Sequence, residues 1–271
     1  MYIIIKEYLK KRVFKKCTFA KKSRFYLHYY MQDAIVIIPT YNEIENIEAI
    51  IRAVYLQSNE IQILIIDDNS PDLTANKVKE LQKEYQGRLF LISRNGKQGL
   101  GTAYIYGFKW CLARAYRYIF EMDADFSHDP KDLIKLYNAC AIQGGDMSIG
   151  SRYVTGVNVV NWPMGRVLMS YLASKYVRVV TGMKINDTTA GFVCYKRETL
   201  EALDLNRIKF IGYAFQIEMK FKTYLKKFKI IEVPVIFTDR TKGESKLSKG
   251  IISEAIFGVM SMKLRSILRK Y

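Results

Sequence analysis

From Ala34 onward the chain alternates short apolar runs with stretches of helical spacing. Ile35-Val36-Ile37-Ile38 is the continuous branched run of a strand buried on both faces, closed by Pro39-Thr40-Tyr41-Asn42-Glu43, and Glu45 to Gln57 follows as a helix. Ile61 to Ile66 predicts a second strand ending in Asp67-Asp68-Asn69-Ser70-Pro71-Asp72, with a helix from about Thr74 to Tyr85. Leu89 to Ile92 is a third strand, Gly99-Leu100-Gly101 opens a helix reaching about Ala115, and Tyr118 to Met122 runs into Asp123-Ala124-Asp125. This alternation predicts an α/β fold with a mostly parallel central sheet and helices on both faces. Ligands of such sheets gather beyond the carboxyl ends of the strands, where all three acidic loops fall.

The second half is less regular. It predicts a strand near Met147-Ser148-Ile149, a Trp-Pro loop at Asn161-Trp162-Pro163, a helix from about Arg166 to Thr181 and a strand over Gly191 to Tyr195. Helices are expected at Glu198 to Leu203 and Ala214 to Tyr224. Ile230 to Phe237 reads as a strand split by Pro234, which suits a sheet edge. This half is expected to hold the acceptor.

Charge changes the picture at the ends of the chain. The formal charge is +17, and residues 1–30 carry nine Lys or Arg against Glu7 alone. Such a balance points to phosphate-bearing partners, an anionic membrane surface or nucleic acid. No helix-turn-helix, zinc-finger or aromatic RNA-binding pattern is present, so nucleic acid is set aside. Tyr2-Ile3-Ile4-Ile5 is too short for a signal peptide, and no secretion is expected. Residues 1–30 are either a basic arm on a membrane surface or an extension ahead of a start at Met31; Met31-Gln32-Asp33, leading straight into the first strand, favours the second. Three segments follow: the extension 1–30, a domain over 31–249, and a basic amphipathic helix over 250–271 that packs either on the protein's own core or on lipid. No window is apolar enough for a transmembrane helix. Cys17, Cys111, Cys140 and Cys194 are far apart, which speaks against a zinc or redox motif.

Asp123 and Asp125 are the candidate chemistry. Carboxylate oxygens are hard ligands for Mg²⁺ or Mn²⁺, ions that keep positions open for substrate phosphates, although a solvated acidic turn would read the same way. His128 is expected to order this loop. Gly99-Leu100-Gly101 is either a phosphate cradle at a helix N-terminus or a packing feature.

Pro39-Thr40-Tyr41-Asn42-Glu43, Asp67 to Asp72, Gly99 to Ala103, Asp123-Ala124-Asp125, Gly150-Ser151-Arg152-Tyr153, Asp187 to Phe192, Gly212 to Glu218 and Arg240 to Lys246, in this order, closely resemble the dolichol-phosphate (polyprenol-phosphate) mannosyltransferases of glycosyltransferase family 2. The resemblance runs from about Ala34 to the C-terminus and implies a GT-A type nucleotide-sugar-binding fold. It implies a donor pocket of Pro39, Tyr41, Glu43, Ile66 and Asp68, and a metal and diphosphate site at Asp123, Ala124 and Asp125. Arg240 and Lys246 would close over the phosphates, and Arg152, Arg166 and Ser170 would contact the acceptor phosphate. Arg166 and Ser170, four apart on one predicted helix, share a face. Asp125, Arg152 and Arg166 are the residues expected to carry catalysis. The implied reaction is inverting transfer of mannose from GDP-mannose to a polyisoprenyl phosphate; the alternative is a UDP-sugar donor on the same fold. The expected setting is peripheral, on the cytoplasmic face of a membrane, with a membrane partner subunit as a further possibility. Asn69 and Leu73 stand where the family usually has Gly, so the second turn is expected to be shaped differently. Ala190 stands where relatives often have Ser.

Overall fold

A computed structural model describes residues 31–212, 214–239 and 251–268. Nine strands and eight α-helices are found among the described residues. In chain order they are β1 (Ala34–Thr40), α1 (Ile44–Tyr55), β2 (Gln62–Asp67), α2 (Thr74–Leu81), β3 (Leu89–Ser93), α3 (Leu100–Leu112), β4 (Tyr118–Glu121), α4 (Leu133–Ala141), β5 (Met147–Ser151), β6 (Val159–Val160), α5 (Met164–Thr181), β7 (Val193–Lys196), α6 (Arg197–Ala202), α7 (Ala214–Leu225), β8 (Ile230–Pro234), β9 (Phe237–Thr238) and α8 (Ile251–Ile267). The main sheet has the order β3-β2-β1-β4-β7-β5-β8. β7 runs antiparallel to both neighbours and every other pairing in that sheet is parallel.

The branched runs build the core by simple alternation. Val36 and Ile38 of β1, with Ile63 and Ile65 of β2, face one layer with α1, α2 and α4, while Ile35, Ile37, Leu64 and Ile66 face the other with α3 and α7. Gly107 lets α3 come close: a Cβ there would lie 2.9 Å from side-chain carbons of both Ile37 and Ile66. Successive strands lie on opposite sides of β1, so the chain changes direction between β1 and β4, the place where open α/β sheets bind ligands. The loops after β1 and β4 flank it.

β8 is the sheet edge, as Pro234 suggests, and the strand predicted through Phe237 breaks there. Its continuation, β9, pairs with β6 in a separate two-stranded sheet that the apolar pattern does not announce, because each strand has only two residues. α8 packs on the protein's own core, the first of the two readings, and leaves an apolar side uncovered. Val259 and Met262 are buried and Gly258 fits against the Phe210 ring, while Phe257 and Met260 remain exposed.

The second turn corrects the expectation drawn from Asn69 and Leu73. Both residues take the left-handed conformation, with φ of 57° and 69°, so the turn keeps a backbone that suits glycine. Leu73 is 62% exposed and gains little by burial. A left-handed L-residue costs roughly 1–2 kcal/mol, and glycine's extra freedom in the unfolded chain offsets about 0.5–1 of that. Leu73→Gly is therefore expected to stabilise the protein by up to about 1 kcal/mol, seen as a higher urea midpoint; a lower midpoint would show that the leucine side chain contributes more than the strain costs.

Candidate active site

The residues expected to form the donor side stand at the ends of β1 and β2. Buried Asp67 ties them together: its Oδ1 accepts from Thr40 Oγ1 at 3.0 Å and Ser70 Oγ at 2.6 Å, and its Oδ2 from the Ser70 N–H at 2.9 Å. Ser70 Oγ accepts from the Asn42 N–H, and Asp72 accepts from the N–H groups of Ile44 and Thr74, so both acidic loops lock into one frame. Pro39, Tyr41 and Glu43 stand half-buried on it. Glu43 Oε2 accepts from Asn46 Nδ2 at 3.0 Å, and the Lys97 ammonium lies 5.2 Å from the centre of the Tyr41 ring. Asp68 is buried against Arg94, which donates from Nε at 2.5 Å and from Nη2 at 2.7 Å.

Two sequence readings change here. Ile66 is fully buried with its side chain against α3, so whatever wall it lends the pocket is backbone. The Gly-x-Gly at α3 is a packing feature: the Gly101 N–H donates to the Ile211 carbonyl oxygen at 2.8 Å, and a Cβ on Gly101 would meet Phe210 and Phe215 at 2.9 Å.

β4 delivers Asp123-Ala124-Asp125 to the crevice. The Asp123 side chain is 37% exposed, while Asp125 is buried and its Oδ1 accepts from the Ser127 N–H at 3.0 Å. Phe126, at φ 61°, turns the chain between them. His128 closes the loop, its Nδ1 accepting the Asp123 N–H at 3.1 Å and its ring stacking on Phe192 at 4.9 Å. Burial, only partly opposed by the Asp125 charge, pulls the His128 pKa down to about 4. The ring is therefore neutral at pH 7 and carries its proton on Nε2, which confirms an ordering role. Beneath the loop, burial pushes Glu121 up to about 8 and raises Tyr104, which also feels Asp123 and Glu121.

The residues expected on the acceptor side gather beyond the end of β5. Arg152 is 7% exposed and grips fully buried Asp187: Nε and Nη2 donate to the two carboxylate oxygens at 2.6 Å each, and the Arg152 N–H donates at 3.0 Å. Glu232 of β8 holds the Asp187 turn by accepting the N–H groups of Asn186 at 2.7 Å and Asp187 at 2.9 Å. Arg166, one-third exposed on α5, donates from Nη1 to Asp239 at 2.8 and 2.9 Å. Ser170, one turn along α5, is half-buried near the Tyr153 hydroxyl.

An aromatic cluster joins the two arginines. Arg166 lies 4.1 Å and Arg152 5.4 Å from the Trp162 ring centre, and Phe237 packs edge-on against both Trp162 and His128. His128 feels the charges of both Asp125 and Arg152, so the Asp123–Asp125 loop and Arg152 share one neighbourhood. Arg240 and Lys246 lie outside the described residues, as do Lys249, Arg269, Lys270 and the 1–30 segment. Asp187, Glu232, Trp162 and Phe237 escaped the sequence reading as site residues. A buried arginine's need for a counter-ion was the available signal for Asp187.

Two carboxylates at the end of β4 are the kind of donors a hard divalent cation takes, and such an ion keeps positions open for ligand oxygens. Residues 35–204 match the model of "Glycosyl transferase family 2". The chain belongs to this family. It is 43% identical over 237 residues to the polyprenol monophosphomannose synthase of Mycolicibacterium smegmatis, covering 88% of this chain and 89% of that one. It is 42% identical over 225 residues to the undecaprenyl-phosphate mannosyltransferase of Micrococcus luteus, covering 83% and 91%. A mannosyltransferase from Pyrobaculum calidifontis, solved with GDP-mannose and Mn²⁺, shares the fold with a TM-score of 0.57 at 17% identity; the match covers 88% of this chain and 64% of that one. The GT-A expectation and the family resemblance therefore hold, and the chain is a glycosyltransferase.

Proposed function

We propose that this glycosyltransferase moves mannose from GDP-mannose to the phosphate of a polyisoprenyl phosphate at a membrane surface, with inversion at the anomeric carbon. The observation that carries this reading is the convergence of the Asp123–Asp125 loop and the Arg152–Arg166 pair on one aromatic cluster beside α5. One group of residues suits a metal diphosphate and the other a second phosphate. The names of the two relatives support mannose as the sugar and a polyprenyl phosphate as the acceptor.

Asp123 and Asp125 would hold Mg²⁺ or Mn²⁺, which when bound neutralises charge on the departing diphosphate. Pro39, Tyr41, Glu43 and Asp68 hold the nucleoside, and Ala124 lines the diphosphate. Arg240 and Lys246 are assigned to the phosphates from the sequence. The acceptor oxygen is already anionic at neutral pH, so the site requires no strong base, and a neutral His128 with a pKa of about 4 is a poor one. The protein's work is to hold two anions within attack distance, which falls to Arg152, Arg166 and Ser170. A single in-line displacement turns an α-linked donor into a β-linked lipid product.

Met164, Leu168, Met169 and Leu172 of α5 are exposed, as are Phe257, Met260 and Leu264 of α8, and Tyr176 Oη of α5 donates to the Ile256 carbonyl oxygen at 3.0 Å, which sets the helices side by side. No helix among the described residues is long and apolar enough to cross a membrane. This paired face, edged by Lys175, Arg178 and Arg265, would rest on the cytoplasmic leaflet of an anionic bilayer, where each cation contributes about 1 kcal/mol. A partner subunit could add to that attachment.

The test is transfer to polyprenyl phosphate in anionic vesicles from radiolabelled GDP-mannose, UDP-glucose and UDP-N-acetylglucosamine. Only GDP-mannose is expected to label the lipid, and labelling from a UDP-sugar would move the donor assignment. Leu168→Glu with Phe257→Glu should release the chain from vesicles while sparing GDP binding. Undiminished co-sedimentation would remove the paired face from the membrane account.

A further inference from the structure

The core-facing side of α7 carries a row of polar groups that the reaction above does not use. Lys220 is fully buried, and its ammonium donates to the Ala190 carbonyl oxygen at 2.6 Å, to the Gln216 carbonyl oxygen at 3.2 Å and to Gln216 Oε1 at 3.2 Å. An ammonium has three protons, and these three acceptors use them all. Gln216 passes the connection on: its Nε2 donates to Glu121 Oε2 at 2.7 Å. Glu121 is the last residue of β4, two residues before Asp123.

Both ends of this row touch the site. At one end is the strand that presents the diphosphate loop. At the other is the carbonyl of Ala190, in the Asp187–Gly191 turn that grips Arg152. Between them Gly191 leaves room: a Cβ there would lie 3.5 Å from His128 Cε1 and 3.9 Å from Gln216 Nε2. Among the described residues no carboxylate lies within ion-pair distance of Lys220, and its charge is balanced at longer range by Glu121, Asp187 and Glu232. A buried charge held by neutral acceptors is costly, and a helix that only had to pack would be better served by Leu or Met.

We propose that Lys220 and Gln216 are positioning residues that fix the Arg152 turn at a set distance from the diphosphate loop. The proposal rests on the donor and acceptor assignment above. Holding two phosphates in line for attack is a matter of tenths of an ångström, and a misplacement of 1 Å is enough to cost about a hundredfold in rate. The row supplies that constraint through the core, away from either substrate.

Lys220→Met in the full chain is expected to lower kcat by about ten- to a hundredfold. The KM for GDP-mannose and the affinity for GDP with Mn²⁺ should stay within about twofold, because none of the residues assigned to either substrate lies on α7. Amide hydrogen exchange over residues 186–192 should quicken, since the turn loses its tether. The double variant Glu121→Gln/Lys220→Met removes both buried titratable groups; its thermal midpoint should recover while kcat stays low. Recovery of kcat together with the midpoint would show that Lys220 only balances Glu121, and would overturn the proposal. So would wild-type turnover by Lys220→Met, or unchanged exchange over 186–192. If the single variant does not fold, the double variant carries the same kinetic and exchange comparisons. A wild-type chain that transfers nothing from GDP-mannose would count against the functional reading, while the exchange measurement would still decide whether the tether exists.

Discussion

Asp125→Asn is expected to lower transfer by about 10³-fold, equivalent to about 4 kcal/mol in the barrier, with the fold intact. The substitution is nearly isosteric, and the hydrogen bond that shapes the loop is kept: an amide oxygen accepts the Ser127 N–H as the carboxylate does at 3.0 Å. The Phe126 turn, which depends on that bond, should therefore persist. What is lost is the negative charge, and an amide neither offsets the charge of a divalent cation nor binds it as strongly. Burial sharpens the loss, because Asp125 is 7% exposed and little water is at hand to replace the missing ligand. Asp123, with its side chain more than one-third exposed, should tolerate the same change better. The measurement is transfer across a Mn²⁺ titration, together with a thermal midpoint to confirm folding. Activity in EDTA equal to that with added Mg²⁺ or Mn²⁺ would remove the metal from the account.

The parts of the molecule legible in the sequence are those governed by local pattern. Ile35–Ile38 and Ile63–Ile66 announce buried strands because every residue in them meets a hydrophobic layer on one face or the other. The Asp123–Asp125 loop is legible because the apolar run stops where the strand does. The boundaries that shift are helix ends: α2 closes at Leu81 and α3 at Leu112, a few residues before the apolar spacing gives out. Long-range pairs are not legible. Arg94 reaches Asp68 across 26 residues of sequence, and Arg152 reaches Asp187 across 35. Nothing in the sequence sets Lys220 apart from the other lysines of α7, and only the packing of α7 against the Ala190 turn shows it to be buried. Asn69 and Leu73 marked a departure from the family's glycines, yet the fold imposes the same left-handed backbone on both. Ile66 shows the converse: it stands beside the acidic loop at the end of its strand, yet its side chain points into the core.

Asp187→Asn is expected to be the most damaging change on the acceptor side. Asp187 is fully buried, and its carboxylate takes two guanidinium bonds at 2.6 Å and one backbone N–H of Arg152. Asparagine keeps the shape but presents an NH₂ group to a donor-only guanidinium, leaving Arg152 buried without its counter-ion. Breaking a buried pair on one side costs about 3–5 kcal/mol, and Glu232, which holds the Asp187 N–H, keeps the turn from rearranging freely. Arg152 should then either lose its place on the Trp162 ring or destabilise the domain, and in both cases use of the lipid phosphate falls while GDP binding at the far side of the crevice survives. The pH dependence has a definite sign. Burial opposes ionisation of Asp187, but the Arg152 charge and hydrogen bonds outweigh it and hold the pKa below the ordinary 3.8. A depressed carboxylate contributes its full stability above the unfolded value and loses it as pH falls through the folded one. The stability gap between wild type and variant should therefore be constant from pH 6 to 8, by urea denaturation, and should narrow only below about pH 4. A gap under about 1 kcal/mol at pH 7, or a loss of GDP affinity matching the loss of transfer, would mean that Asp187 does not hold the acceptor arginine in place.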